Sequence, residues 1–170
     1  PVRIEKPVTV IEKSKRVVEE KQRKLFEHLD SKLPPLSLLD EADAPVDTIS
    51  AETLEFTSRL IERKLLDFNV QVKVLAAYPG PVITRYEIEP AVGVKGSQIV
   101  GLAKDLARAL SLVSIRVVET VPGKSCMALE LPNARRQTIR LAEILGSKIY
   151  NDAPSQLAIA LGKDIVGNPV

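Results

Sequence analysis

Tryptophan is missing from these 170 residues, and aromatic residues make up only 4% of them. A core built from this sequence is therefore aliphatic, assembled from valine, isoleucine, leucine and alanine. With no aromatics interleaved among its basic residues, the chain has no platform for stacking single-stranded bases. Cys126 is the only cysteine. That excludes an intrachain disulfide and a cysteine metal cluster, and fits a reducing, cytosolic setting. His28 is the only histidine, in the charged stretch Glu27-His28-Leu29-Asp30. No histidine-pair metal site can form, a Ser-His-Asp triad would depend on this one residue, and the stretch reads as solvated surface. No apolar run approaches the roughly 18–20 residues that span a bilayer. The opening residues do not read as a signal peptide.

What remains is ordinary in amount and uneven in arrangement. Apolar residues make up 45%, enough for one domain with a core, with or without tails. The net charge of +2 is too small to imply nucleic acid by itself. Residues 1–24 carry eight Lys/Arg against four acids, residues 25–58 one Lys against eight acids, and residues 95–170 ten basic against six acidic residues. The C-terminal half is thus biased toward positive charge without containing a polybasic tract.

The pattern predicts a mixed fold. Residues 1–32 are charge-dense and poor in apolar anchors, and read as a linker or a short helix using Val17, Val18, Leu25 and Leu29. Residues 33–49 contain Leu33-Pro34-Pro35-Leu36-Ser37-Leu38-Leu39; two prolines forbid a helix and the leucines call for burial, so an extended strap is expected. Ser50 is a good N-cap for a helix over 51–67, whose apolar positions Leu54, Ile61, Leu65 and Phe68 recur at helical spacing. Strands are expected over 70–76 and 82–89, joined at Pro79-Gly80-Pro81. Ser97 is a candidate cap for a second helix, 98–111, with Ile99, Leu102, Ala103, Leu106, Ala109 and Leu110 on its apolar face. Two further strands, 115–121 and 126–131, flank Pro122-Gly123-Lys124-Ser125. Residues 138–145 read as a short strand, a helix, or one passing into the other. Residues 157–169 read as strand, turn and strand. The order is helix, hairpin, helix, hairpin, helix: an α+β fold with a four-stranded sheet and helices on one face.

Gly123-Lys124-Ser125 matches the end of the phosphate-binding loop G-x-x-x-x-G-K-[ST]. The first glycine would have to be residue 118, which is Val118. Pro122 removes a backbone donor where amides should cradle phosphate, and the following residues are strand-like where a helix is needed. A Pro-Gly turn is the better reading. Lys104 and Arg108 share the outer face of the second helix, and with Lys95, Arg135 and Arg136 they are the candidates for tracking a phosphate backbone. Charges on the outer face of an amphipathic helix are also simply what water demands. Glu87, Glu89, Glu119 and Glu130 sit on strands without a nucleophile or metal set, and suit ion pairing with Arg85, Arg116 and Arg140.

Three strings stand out together: Gly80-Pro81-Val82-Ile83-Thr84-Arg85-Tyr86-Glu87, Asp105-Leu106-Ala107-Arg108-Ala109-Leu110 and Leu129-Glu130-Leu131-Pro132-Asn133. This set resembles the small alpha domain that precedes the RecA-like ATPase core in the FtsK/SpoIIIE family of bacterial DNA translocases. The resemblance covers roughly Leu33 to Val170. It implies a linker over 1–32, a strap over 33–49, the alpha domain over 50–150, and the first hairpin of the ATPase core over 151–170. It further implies a ring-forming part, without catalysis of its own, of an ATP-driven motor that moves double-stranded DNA in chromosome segregation and cell division. The partners implied are duplex DNA, further copies in a hexameric ring, the adjoining ATPase domain and a site-specific recombinase. ATP and Mg would belong to the whole motor, whose catalytic residues are expected beyond Val170, so no catalytic or nucleotide-binding residue carries over. The whole protein would be anchored in the inner membrane with this part on the cytoplasmic side. A free-standing nucleic-acid-binding α+β module is the alternative.

Overall fold

The computed structural model describes residues 2–8, 10–22, 34–42, 49–155 and 157–170. His28, Leu25 and Leu29 lie outside the described residues. In chain order the elements are β1 (Arg3–Ile4), α1 (Lys15–Gln22), α2 (Ala51–Asp67), β2 (Val72–Pro79), β3 (Ile83–Pro90), α3 (Gly96–Gly101), α4 (Ala103–Ala109), β4 (Arg116–Val118), β5 (Met127–Pro132), α5 (Leu141–Leu145) and α6 (Lys148–Asn151). The chain forms two compact units, Pro1–Pro7 with Val46–Arg136, and Val8–Pro45 with Gln137–Val170.

The first unit is an α+β domain on a five-stranded sheet of order β1-β2-β3-β5-β4. Four strands were expected; the fifth is β1, from residues read as tail, whose Arg3 and Ile4 pair parallel with Ala76 and Ala77. Two residues carry no periodicity, so this strand has no sequence signal. The other pairings are antiparallel. Alternation sends Tyr86, Ile88, Met127, Leu129 and Leu131 to one face, where they meet Leu54, Ile61 and Leu65 of α2, Ile99 of α3 and Leu106 of α4. Each such side chain fully buried contributes about 1.5–3 kcal/mol of hydrophobic stabilisation. As composition requires, the core is aliphatic apart from Tyr86.

Local chemistry explains the boundaries. The Ser50 side chain accepts from Thr53 N, capping α2 as expected. The helix ends on Asn69 at φ 59°, with Val70 N donating to Leu65 O, a left-handed cap that asparagine tolerates. The second helix does not run continuously from 98 to 111. It is α3 and α4, separated at Leu102, whose N–H reaches both Gln98 O and Ile99 O after the weak helix former Gly101. Ser97 is not its cap: the turn opens at Lys95, whose N–H donates to the Gln98 side chain. In β2 the register shifts between Val74 and Ala76, a bulge that places Leu75 opposite no partner. Leu75 joins Val121, Cys126, Ala128 and Val118 in a small cluster apart from the main core.

In the second unit, α1 realises the short helix expected near Val17 and Val18. Pro34 and Pro35 exclude an α-helix, as expected, but a single 3-10 turn follows at Leu36–Leu38 and Leu38 is 74% exposed, not buried. Residues 141–145 are helical. Lys13 bridges Ser147, and Ser14 N donates to Gly146 O. Of the expected hairpin over 157–169, the part near the turn forms: Lys163 bridges Pro169, Gly162 and Val170 exchange backbone hydrogen bonds, and Asp164 N donates to Asn168 O. Its turn is held by Asp164, whose Oδ1 accepts from the amides of Val166, Gly167 and Asn168. Partial burial alone would raise this carboxyl; those bonds and one from the Asn168 side chain outweigh it and hold it below the usual carboxylate range.

Candidate nucleic-acid interface

The sheet face opposite the helices carries ion pairs beside the small apolar cluster around Ala128. Register places Arg85 opposite Glu130 and Arg116 opposite Glu130 on the other side. Arg85 Nη2 lies 2.6 Å from Glu130 Oε1, and Arg116 Nη1 lies 3.2 Å from Glu130 Oε2. Glu130 is 5% exposed, and a carboxylate removed from water needs such partners. One buried acid thus holds two guanidiniums. Arg116 stays 76% exposed and spends one donor on this contact.

Farther along the same face, Lys124 Nζ lies 2.6 and 2.8 Å from the two oxygens of Glu87, and donates to the Tyr78 hydroxyl at 3.0 Å. The Glu87 carboxylate, with the tyrosine, pushes the lysine pKa up. Gly123 adopts φ 75° and Lys124 N donates to Val121 O, so Val121-Pro122-Gly123-Lys124 is a type II turn with proline and glycine at the positions that turn requires. Lys124 is committed to a carboxylate, and strand β5 follows where a phosphate-binding loop needs a helix. These residues do not fit a nucleotide. Burial pushes the pKa of the neighbouring Cys126 thiol up. Among the described residues no His, Cys, Asp and Glu group has the makings of a metal site.

The expected pairing with Arg85 and Arg116 is met by Glu130 alone; Glu87 pairs instead with Lys124, and Glu89 and Glu119 stay exposed. Arg140 pairs elsewhere, with Asp40 at 3.1 Å in the second unit.

All five basic candidates are exposed. Lys104 and Arg108 lie one turn apart on α4, and Arg108 is offset by Asp105 at 2.6 Å. Arg135 and Arg136 follow β5 just past Asn133, whose N–H donates to Val82 O and whose Oδ1 accepts from Thr84. Lys95 follows β3, which runs the other way. The length of β5, about 17 Å at ~3.3 Å per residue, therefore separates the sheet end near Lys95 from that near Arg135 and Arg136. The five do not form one cluster. Sequence reading assigned Arg85 and Arg116 to ion pairing alone; their place at the Arg135–Arg136 end depends on strand register between distant segments, which no local pattern encodes.

Residues 33–133 match the FtsK alpha domain family. The chain is 69% identical over its whole length to the DNA translocase FtsK 2 of Ralstonia nicotianae, of which it spans 22%. It is 52% identical over 94% of its length to the DNA translocase FtsK of Pseudomonas aeruginosa, and 56% identical over 81% to the DNA translocase FtsK 1 of Neisseria meningitidis. It spans 20% and 17% of those two proteins, about a fifth of the length of the curated relatives it matches. The match over residues 33–133 and the identity along the whole chain lead to one conclusion: the chain belongs to the FtsK alpha domain family.

Proposed function

We propose that this chain is the ring-forming, non-catalytic domain of an ATP-driven translocase of double-stranded DNA that acts in chromosome segregation and cell division. The observation that carries the reading is 69% identity along the entire chain to a protein named as a DNA translocase, of which the chain is about a fifth. Hydrolysis belongs to a RecA-like ATPase domain elsewhere in the polypeptide, which binds ATP and Mg. A region without chemistry does work by coupling to one that changes shape on hydrolysis. Hexameric assembly around duplex DNA, a membrane-anchored whole protein with this part on the cytoplasmic side, and a site-specific recombinase as partner follow from the family. No helix among the described residues is long and apolar enough to cross a membrane, which agrees with an anchor placed elsewhere.

DNA contact by this domain is to the backbone and collective, drawn from the set Lys95, Lys104, Arg108, Arg135 and Arg136. Scarce aromatics and exposed basic side chains favour duplex phosphates over splayed bases. The test is displacement of a third strand from duplex DNA by the full-length protein. ATP-dependent displacement is expected. Salt-sensitive DNA binding with no ATP-driven movement would leave the free-standing binding module as the correct reading.

A further inference from the structure

Strand register divides the sheet of the first unit into two electrostatically different ends. At one end lie the C-terminal parts of β2 and β5, the start of β3, the loop after α4 and the start of β4. The segments there, 78–85, 108–116 and 131–136, contain Arg85, Arg108, Arg116, Arg135 and Arg136 and no Asp or Glu. At the other end, segments 67–73, 87–95 and 118–127 contain Asp67, Glu87, Glu89 and Glu119 beside Lys73, Lys95 and Lys124. The acids next to the first end are Glu5, beside Ala77, and Glu130 and Asp105, which pair with Arg85, Arg116 and Arg108; its arginines outnumber them, whereas the second end is mixed.

Two features make the basic end more than a solvated surface. Arg116 is anchored by a nearly buried carboxylate, so its guanidinium is oriented while 76% of the side chain remains exposed. A guanidinium carries five donors in a planar fork and suits a phosphate better than a lysine does. Arg135 and Arg136 form no ion pair among the described residues, and Asn133 ties the chain before them to the sheet through Val82, Gly80 and Thr84. Positive charge held on a rigid scaffold without a counter-charge favours an anionic partner.

Resting on the translocase reading, we infer that this arginine end of the sheet is the face of the domain that meets duplex DNA, with Arg116, Arg135 and Arg136 each contacting a backbone phosphate. Arg85 is a positioning residue that shares Glu130 and holds the triad. The opposite sheet end, Lys95 included, takes no part, which narrows the set of five candidates.

The test uses the full-length protein and duplex DNA of mixed sequence, with affinity followed by fluorescence anisotropy across a salt series. Removing one arginine–phosphate pairing lowers the slope of log affinity on log salt by about 0.9. The double variant Arg135→Ala/Arg136→Ala should lower it by roughly 2 and Arg116→Ala by about 1, whereas Arg116→Lys, which keeps the charge, should nearly preserve it. Lys73→Ala, at the mixed end, should leave it unchanged. The double variant removes exposed side chains that form no ion pair among the described residues, and keeps the test valid if Arg116→Ala destabilises the sheet. Slopes equal to the parent's in both arginine variants, with the parent binding DNA, overturn the inference and leave the translocase reading intact. Equal slopes with altered assembly overturn it too, and identify a surface between copies instead. A parent that binds no duplex DNA overturns both.

Discussion

Lys124 illustrates what a single residue can be mistaken for. Its sequence neighbours match the tail of a phosphate-binding loop, yet its ammonium closes on Glu87, which is 5% exposed. Replacing it with alanine leaves that carboxylate nearly buried without its cation. Because the lysine itself is 45% exposed, solvent screens part of the loss, and the expected cost is about 1–3 kcal/mol. Thermal unfolding of Lys124→Ala should begin several degrees below that of the parent. Calorimetric titration of the parent chain with ATP should give no binding heat. Unchanged stability together with ATP binding abolished in the variant would restore the nucleotide role. The mismatch at Val118 and Pro122 made the exclusion legible in the sequence; the partner Glu87, 37 residues away, required the register of the sheet.

Between elements, the telling contact is α2 against β3, where Tyr86 is the one large polar group in the core. Burial pushes its phenol up to about 12, while a hydrogen bond with Thr57 works in the opposite direction. The unfolded chain ionises near the ordinary value of 10 and the folded one resists, so stability is fully present below pH 10 and falls as pH rises through 12. The loss across that window is about 2–3 kcal/mol. Urea unfolding followed from neutral pH up through this window should show a steeper alkaline decline for the parent than for Tyr86→Phe, and identical declines would contradict the buried phenol. The same elements mark what sequence can convey. Helix α2 and the hairpin of β2 and β3 were readable because their periods of 3.6 and 2 persist over several residues and are bounded by Ser50 and by Pro79-Gly80-Pro81. The bulge at Leu75, the break at Leu102 and the strand β1 were not. Each is decided by what the backbone meets across space, and each leaves the local pattern almost unchanged.

For the whole molecule, the distribution of charge matters more than its sum. A net charge of +2 conceals an excess of arginine at one end of the sheet, where Arg135 and Arg136 form no ion pair among the described residues, and mixed charge at the other. Sequence supplied the basic residues and the family strings, but grouped Lys95 with Arg135 and Arg136, which stand at opposite ends of β5. The second unit is held by pairs such as Lys163 with Glu143, side chains 7% and 12% exposed. An arginine-rich sheet end and membership of the FtsK alpha domain family suit the proposed role of guiding a duplex. In the proposed function, copies of the protein close around DNA. Sedimentation velocity of the full-length protein on a short duplex measures this directly. The expected result is one dominant complex of six protein copies per duplex, absent with single-stranded DNA of the same length. A ladder of complexes growing by one copy at a time, with duplex and single strand bound alike, would contradict it.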